Sequence, residues 1–224
     1  MPYRTTQKSE SRKAAMRAKL LASARTLFVT QGYEATSIQQ IVQAAGTSTG
    51  NCYFYFPNKE ALLLAVADEF KQEIASTIDA AMERTPPGYG RLAVAIYFGV
   101  TALLEQADVA RLVLAQTAHP SLRPDAVELF TIRVSSFFES SPDLLNAPSP
   151  EMVAHAWQGA IFHVLESAVA GLLTQSPATI GLFLVRWNLQ ALGLPLDQVE
   201  QAQAVLSDTL KASLGKTSGL QCTL

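Results

Sequence analysis

Thr36 to Glu60 reads TSIQQIVQAAGTSTGNCYFYFPNKE, two short helical patterns on either side of a glycine turn. The first, Ser37 to Ala44, carries apolar residues at Ile38, Ile41, Val42 and Ala45, the three-to-four spacing of one helix face. Thr36 is placed to N-cap it, with Gln39 closing a capping box. Gly46 follows the last periodic residue, where a left-handed C-cap or a tight turn favours glycine. Ser48 can cap a second short helix through Asn51, Cys52 and Tyr53. Pro57 cannot continue that helix, and Asn58 can cap the next one, with Glu60 in its first turn. Two helices joined this way form a helix-turn-helix, a unit that lays its second helix in the major groove of DNA.

Such short helices bury too little apolar surface alone and need a third. Ser11 to Gln31 supplies it, with Met16, Leu20, Ala24, Leu27 and Phe28 as its stripe. The first eleven residues are polar and read as a disordered arm. Residues 1–60 therefore read as a three-helix domain. They hold eight Lys/Arg against three acids, a net +5 within a chain of net charge -2, so residues 61–224 carry -7. A basic head on an acidic body suggests that the head meets a polyanion.

The second helix of the pair has the side chains for base reading. Thr47, Ser48, Thr49, Gly50 and Asn51 are short and polar at its start, where base edges and phosphates come within reach. Gly50 lets the backbone approach closely. Asn51 suits an adenine edge, and the Thr49 methyl suits a thymine methyl. Phe56 and Cys52 read as core.

The stretch Leu20 to Glu69, with its G-Y-x-A-T-S, A-x-A-G-x-S-type and Y-x-Y-F-P-x-K-E elements, strongly resembles the N-terminal domain of the tetracycline-repressor-like (TetR) family of bacterial transcriptional regulators. Thr47 stands where that family often has valine, Thr49 where it often has lysine, and Cys52 where leucine is common. The resemblance implies that Thr47, Thr49, Gly50, Tyr53, Phe54, Tyr55 and Lys59 face DNA. Tyr53 would offer a hydroxyl to phosphate, Phe54 an apolar contact and Tyr55 a donor. Lys59 would neutralise a second phosphate, and Ser37 or Thr36 would touch the backbone. It also implies a homodimer, joined by a four-helix interface, and a helical ligand-binding body.

The rest of the chain is helical in pattern, giving an all-α fold. A long helix runs from about Asn58 to Arg84 and is the candidate lever between the halves. Pro86-Pro87-Gly88 ends it. Helices follow over Gly90–Glu105, Asp108–Thr117, Ser121–Ser140, Glu151–Leu173 and Ala178–Leu192, with a last one from Pro195 to about Leu214. Glu151–Leu173 is apolar on several sides, as a helix between two subunits is. Either Ala178–Leu192, the more apolar, or Pro195–Leu214 completes the interface. For a small, largely apolar effector, the aromatic and polar candidates are Phe98, Gln116, His119, Phe130, Phe137, Trp157, Phe162, His163 and Glu166.

Several classes are disfavoured. Two cysteines, Cys52 and Cys222, lie far apart without C-x-x-C spacing, which supports neither a disulfide framework nor zinc. His155 and His163 lack accompanying carboxylates, so no metal is expected. There is no apolar run of membrane length and no apolar signal core, so the reading is cytoplasmic. No nucleophile elbow, phosphate loop or paired acid-base carboxylates point to an enzyme, and no cofactor motif appears. The expected function is a ligand-responsive repressor that binds a palindromic DNA operator as a dimer. The alternative is a DNA-binding regulator without a small-molecule effector, controlled by a partner or acting as an activator.

Overall fold

The computed structural model describes residues 7–115, 134, 137, 138 and 149–218. Among these the fold is all-α: α1 (Gln7–Gln31), α2 (Ile38–Ala45), α3 (Thr49–Tyr55), α4 (Lys59–Met82), α5 (Tyr89–Glu105), α6 (Ala107–Ala115), α7 (Pro150–Val169), α8 (Pro177–Ala191) and α9 (Leu196–Ser218). The chain forms two compact units, residues 1–71 and 72–224. The first unit runs past the boundary drawn at residue 60, because Leu62, Leu63, Val66, Ala67 and Phe70 of α4 are buried.

The first unit is built on α1. Leu20, Leu21, Ala24 and Phe28 are buried, as are Ile41, Val42 and Ala45 of α2 and Cys52 of α3. α1 starts at Gln7, four residues before the expected Ser11, so residues 7–11 belong to a helix and not to an arm. α2 is capped by Ser37, one residue later than the sequence suggested. The Ser37 hydroxyl accepts from the Gln40 N–H, and the Gln40 side chain accepts from the Ser37 N–H at 2.8 Å. Thr36 cannot serve as the cap. Its hydroxyl donates to the Gly32 carbonyl at 2.7 Å and accepts from the Gln31 amide. At the other end Gly46 is left-handed, with φ of 65°, and the turn returns the Thr47 N–H to the Val42 carbonyl at 2.9 Å. Ser48 caps α3 and Asn58 caps α4, as expected.

In the second unit α5 packs against α8 and α9, while α6 packs against α7. Leu92, Val94, Ile96 and Val100 of α5 are buried, with Leu184, Val185 and Leu189 of α8 and Val199 and Leu206 of α9. Glycine allows the closest approach. A Cβ on Gly90 would lie 2.7 Å from the Val205 side chain, so α5 and α9 meet backbone to side chain. α5 breaks at Gln106 and α6 leaves at 95°. Arg111 of α6 then reaches the end of α7, donating to the Val169 carbonyl at 3.0 and 3.2 Å. No single described helix is long and apolar enough to cross a membrane.

Candidate nucleic-acid interface

α3 alternates between core and solvent within one turn. Cys52 is fully buried, while its neighbours Tyr53 and Phe54 are 52% and 67% exposed. Phe56, just past the helix, is buried again. Leaving two aromatic rings in water is unfavourable by their apolar area, and it is a mark of surfaces that meet a partner. Phe54 is steadied by an edge-on contact with Tyr55 at 5.0 Å between centroids. Ser48 and Gly50 are exposed, and Thr47, Thr49 and Asn51 are half-buried. Asn51 spends one amide hydrogen on the Thr47 hydroxyl at 2.8 Å, which fixes its side chain across the first turn. The second hydrogen and the carbonyl oxygen remain for a further partner. At seven residues α3 is about 10 Å long, and a major groove about 12 Å wide admits the diameter of an α-helix.

Two residues expected at this surface have other work. Thr36 is 2% exposed and its hydroxyl is tied to α1, so it reaches no phosphate; Ser37, next to it, is exposed. Lys59 is half-buried, and its ammonium donates to the carbonyls of Tyr33 at 2.8 Å, Thr36 at 3.0 Å and Glu34 at 3.4 Å. An ammonium has three donors, and all three are taken. It also lies 4.3 Å from the centre of the Tyr33 ring. Lys59 is therefore a clamp that binds the loop before α2 to the start of α4. Burial, with Glu60 and then Glu34 nearby, pushes the Tyr33 hydroxyl pKa up. Burial alone raises the Cys52 thiol.

Of the residues proposed for an effector, Phe137 and Trp157 share one aromatic cluster. Gln116, His119 and Phe130 lie outside the described residues. Trp157 is buried, and it meets Phe138 edge-on at 5.8 Å, which in turn meets Phe137 at 5.4 Å. Those three rings form one cluster. Phe98 is half-buried beside Tyr97, and Phe162 is half-buried on α7. His163 and Glu166 are exposed, off the buried stripe Trp157, Ile161, Leu165. The second unit does hold a groove of about 360 Å³, between Arg84 and Pro86 on one side and Val205, Asp208 and Thr209 on the other. None of the expected residues lines it.

The apolar helix expected over Ala178–Leu192 also carries an outward face whose residues the sequence reading did not name. Leu182, Phe183 and Trp187 of α8 are 45%, 57% and 44% exposed, on the side opposite buried Leu184, Val185 and Leu189. Their spacing carried the signal: large apolar residues continue around the helix on both sides.

Residues 20–66 match the family model described as bacterial regulatory proteins, tetR family. Over this stretch the chain resembles that family. Among curated TetR-type relatives, the HTH-type transcriptional regulator LmrA of Bacillus subtilis is 38% identical over 76 residues, 33% of this chain and 40% of that protein. The HTH-type transcriptional regulator EthR of Mycolicibacterium smegmatis is 38% identical over 69 residues, 31% of this chain and 32% of that one. The chain thus spans less than half the length of either relative, and the likeness lies in the DNA-binding head. The fold continues further. SmeT, the repressor of a Stenotrophomonas maltophilia multidrug efflux pump, superposes with a TM-score of 0.67 at 17% identity, over 78% of this chain and 89% of that one. The fatty acid degradation regulator FadR of Bacillus halodurans gives 0.65 at 17% identity, over 79% and 96%. At such identity these two speak for the TetR fold alone.

Proposed function

We propose that this protein is a cytoplasmic, homodimeric transcriptional repressor that binds a palindromic DNA operator and is released from it by a small, largely apolar effector. One observation carries the reading. α3 and the turn before it carry Thr47, Ser48, Thr49, Gly50, Asn51, Tyr53 and Phe54, exposed or half-buried, held from behind by buried Cys52 and Phe56. In this arrangement Thr49 and Asn51 read bases, Tyr53 and Tyr55 donate to phosphates, and Ser37 contacts the backbone at the start of α2.

A single helix of this size reads few base pairs, so two copies are needed, with half-sites about one helical turn apart. The exposed apolar side chains of α8 support Ala178–Leu192 over Pro195–Leu214 as the partner of α7 in that interface. The effector site centres on the aromatic cluster of Phe137 and Trp157. Binding there shifts the dimer toward a spacing unsuited to DNA, through α4, which runs from the first unit into the second. That shift requires the effector to prefer one state by ~1–3 kcal/mol.

Two steps test the reading on the full chain. Duplexes bound from a random pool should enrich one sequence, and Thr49→Ala should change the preferred base at one position at a cost of ~1–3 kcal/mol. A panel of apolar metabolites and drugs should then contain a compound that both raises the melting temperature and lowers affinity for that duplex. Enrichment without any releasing compound favours the regulator that has no small-molecule effector.

A further inference from the structure

The first half of α1 is left uncovered. No residue from Ser9 to Lys19 is buried, although the same helix buries Leu20, Leu21, Ala24 and Phe28. Both halves share one stripe. Stepping back from Phe28 by threes and fours gives Ala24, then Leu20 and Leu21, then Met16 and Arg17, then Lys13. The stripe is apolar where the unit covers the helix, and beyond half-buried Met16 it carries the cations Arg17 and Lys13. One contact fixes its direction: the Arg17 guanidinium lies over the Phe56 ring, 5.4 Å from its centre. Phe56 is the residue that closes α3. Arg17 therefore stands at the end of the helix that carries Tyr53 and Phe54, and Lys13 follows one turn further out.

α1 gains nothing from these charges by itself. Lys13 and Arg17 are like charges at i and i+4, which repel across a helix surface. Arg12 and Lys13 lie toward its N-terminal end, where the helix dipole disfavours cations. Lys13 faces Glu10 at 3.8 Å, a loose and exposed pair of small worth. α1 as a whole holds six Lys/Arg (Lys8, Arg12, Lys13, Arg17, Lys19, Arg25) against one acid, Glu10. Residues 9–19 run about 16 Å, and a duplex presents roughly ten phosphate charges over that length.

We propose that Arg12, Lys13 and Arg17 form a second DNA contact, a phosphate clamp that flanks the half-site read by α3. It rests on the reading of α3 as the base-reading helix and adds to it a sequence-independent share of affinity. Arg17 is positioned by its ring contact, and Arg12 and Lys13 extend the cationic surface along the duplex.

The test is fluorescence anisotropy of the full chain on the duplex that wild type selects from a random pool, between 50 and 200 mM salt. Arg12 and Lys13 are exposed, so Arg12→Gln/Lys13→Gln should fold as wild type, with an unchanged melting temperature. The slope of log affinity against log salt should become shallower by about 1.8, at roughly 0.9 per lost phosphate contact. The loss should be equal on selected and scrambled duplexes, leaving base preference as it was. Arg17→Lys, which keeps the charge, should keep the slope. An unchanged slope in the double variant overturns the clamp, and so does a loss confined to binding phosphatidylserine vesicles. If Thr49→Ala alters base preference while the double variant keeps its slope, the clamp alone fails. If wild type enriches no duplex at all, the reading beneath it fails too.

Discussion

At the scale of single residues, Lys59 is the clearest case of chemistry set by surroundings. A lysine beside a helix N-terminus in a basic head reads as a phosphate ligand, yet here three loop carbonyls hold its ammonium. Hydrogen bonds to a charged group contribute more than neutral ones, so Lys59→Ala should lower the stability of the first unit by about 2 kcal/mol in urea unfolding. Its salt slope on DNA should move by well under one unit; a full unit lost with stability intact would make it a phosphate ligand after all. Cys52 gives a second prediction. Burial disfavours the thiolate and raises the pKa from its ordinary 9.0. The unfolded chain, with the lower pKa, then ionises first as pH rises. The stabilising difference is fully present below pH 9 and is lost as the pH climbs through the folded value. In a Cys222→Ser background the thiol should stay unreactive toward alkylating reagents at pH 8 and react at once in denaturant. Ready labelling of the native protein would contradict its burial.

At the scale of helices, much was legible because apolar spacing of three and four survives in any context. α2, α4, α5 and α8 were all expected within two residues of where they run. The cap of α2 was not, since two adjacent hydroxyls compete and only the nearby Gly32 carbonyl decides that Thr36 turns inward. The outward turn of His163 and Glu166 was available in the sequence: Trp157, Ile161 and Leu165 recur every four residues, and neither polar residue falls on that stripe. The clamp of Lys59 was not available, because its partners Tyr33 and Glu34 lie 26 and 25 positions away along the chain. Close packing of α5 on α9 was equally invisible, and it yields a sharp prediction. Gly90→Ala puts a methyl 2.7 Å from Val205, and overpacking of this kind costs about 1–3 kcal/mol. Val205→Ala in the same chain should return most of the loss, seen as a coupling term in a double-mutant cycle of melting temperatures. Additive losses would mean that the two side chains do not meet.

At the scale of the whole molecule, the account joins an exposed reading helix to an exposed oily face. Leu182, Phe183 and Trp187 are too large and too exposed to serve the core of their own chain. Phe183→Asp/Trp187→Asp should therefore sediment as a monomer at concentrations where wild type is a dimer, and should bind a full operator no better than a half-site. An unchanged sedimentation coefficient would move the interface to another surface. The central claim is that two copies of α3 read duplex DNA in a fixed relation. The most direct measurement is sequencing of the duplexes that the full chain retains from a random pool. The account predicts an inverted repeat whose half-site centres lie about 10–10.5 base pairs apart, or a multiple of that. Retention of no preferred sequence, or of a sequence left unchanged by Thr49→Ala and Asn51→Ala, would contradict it.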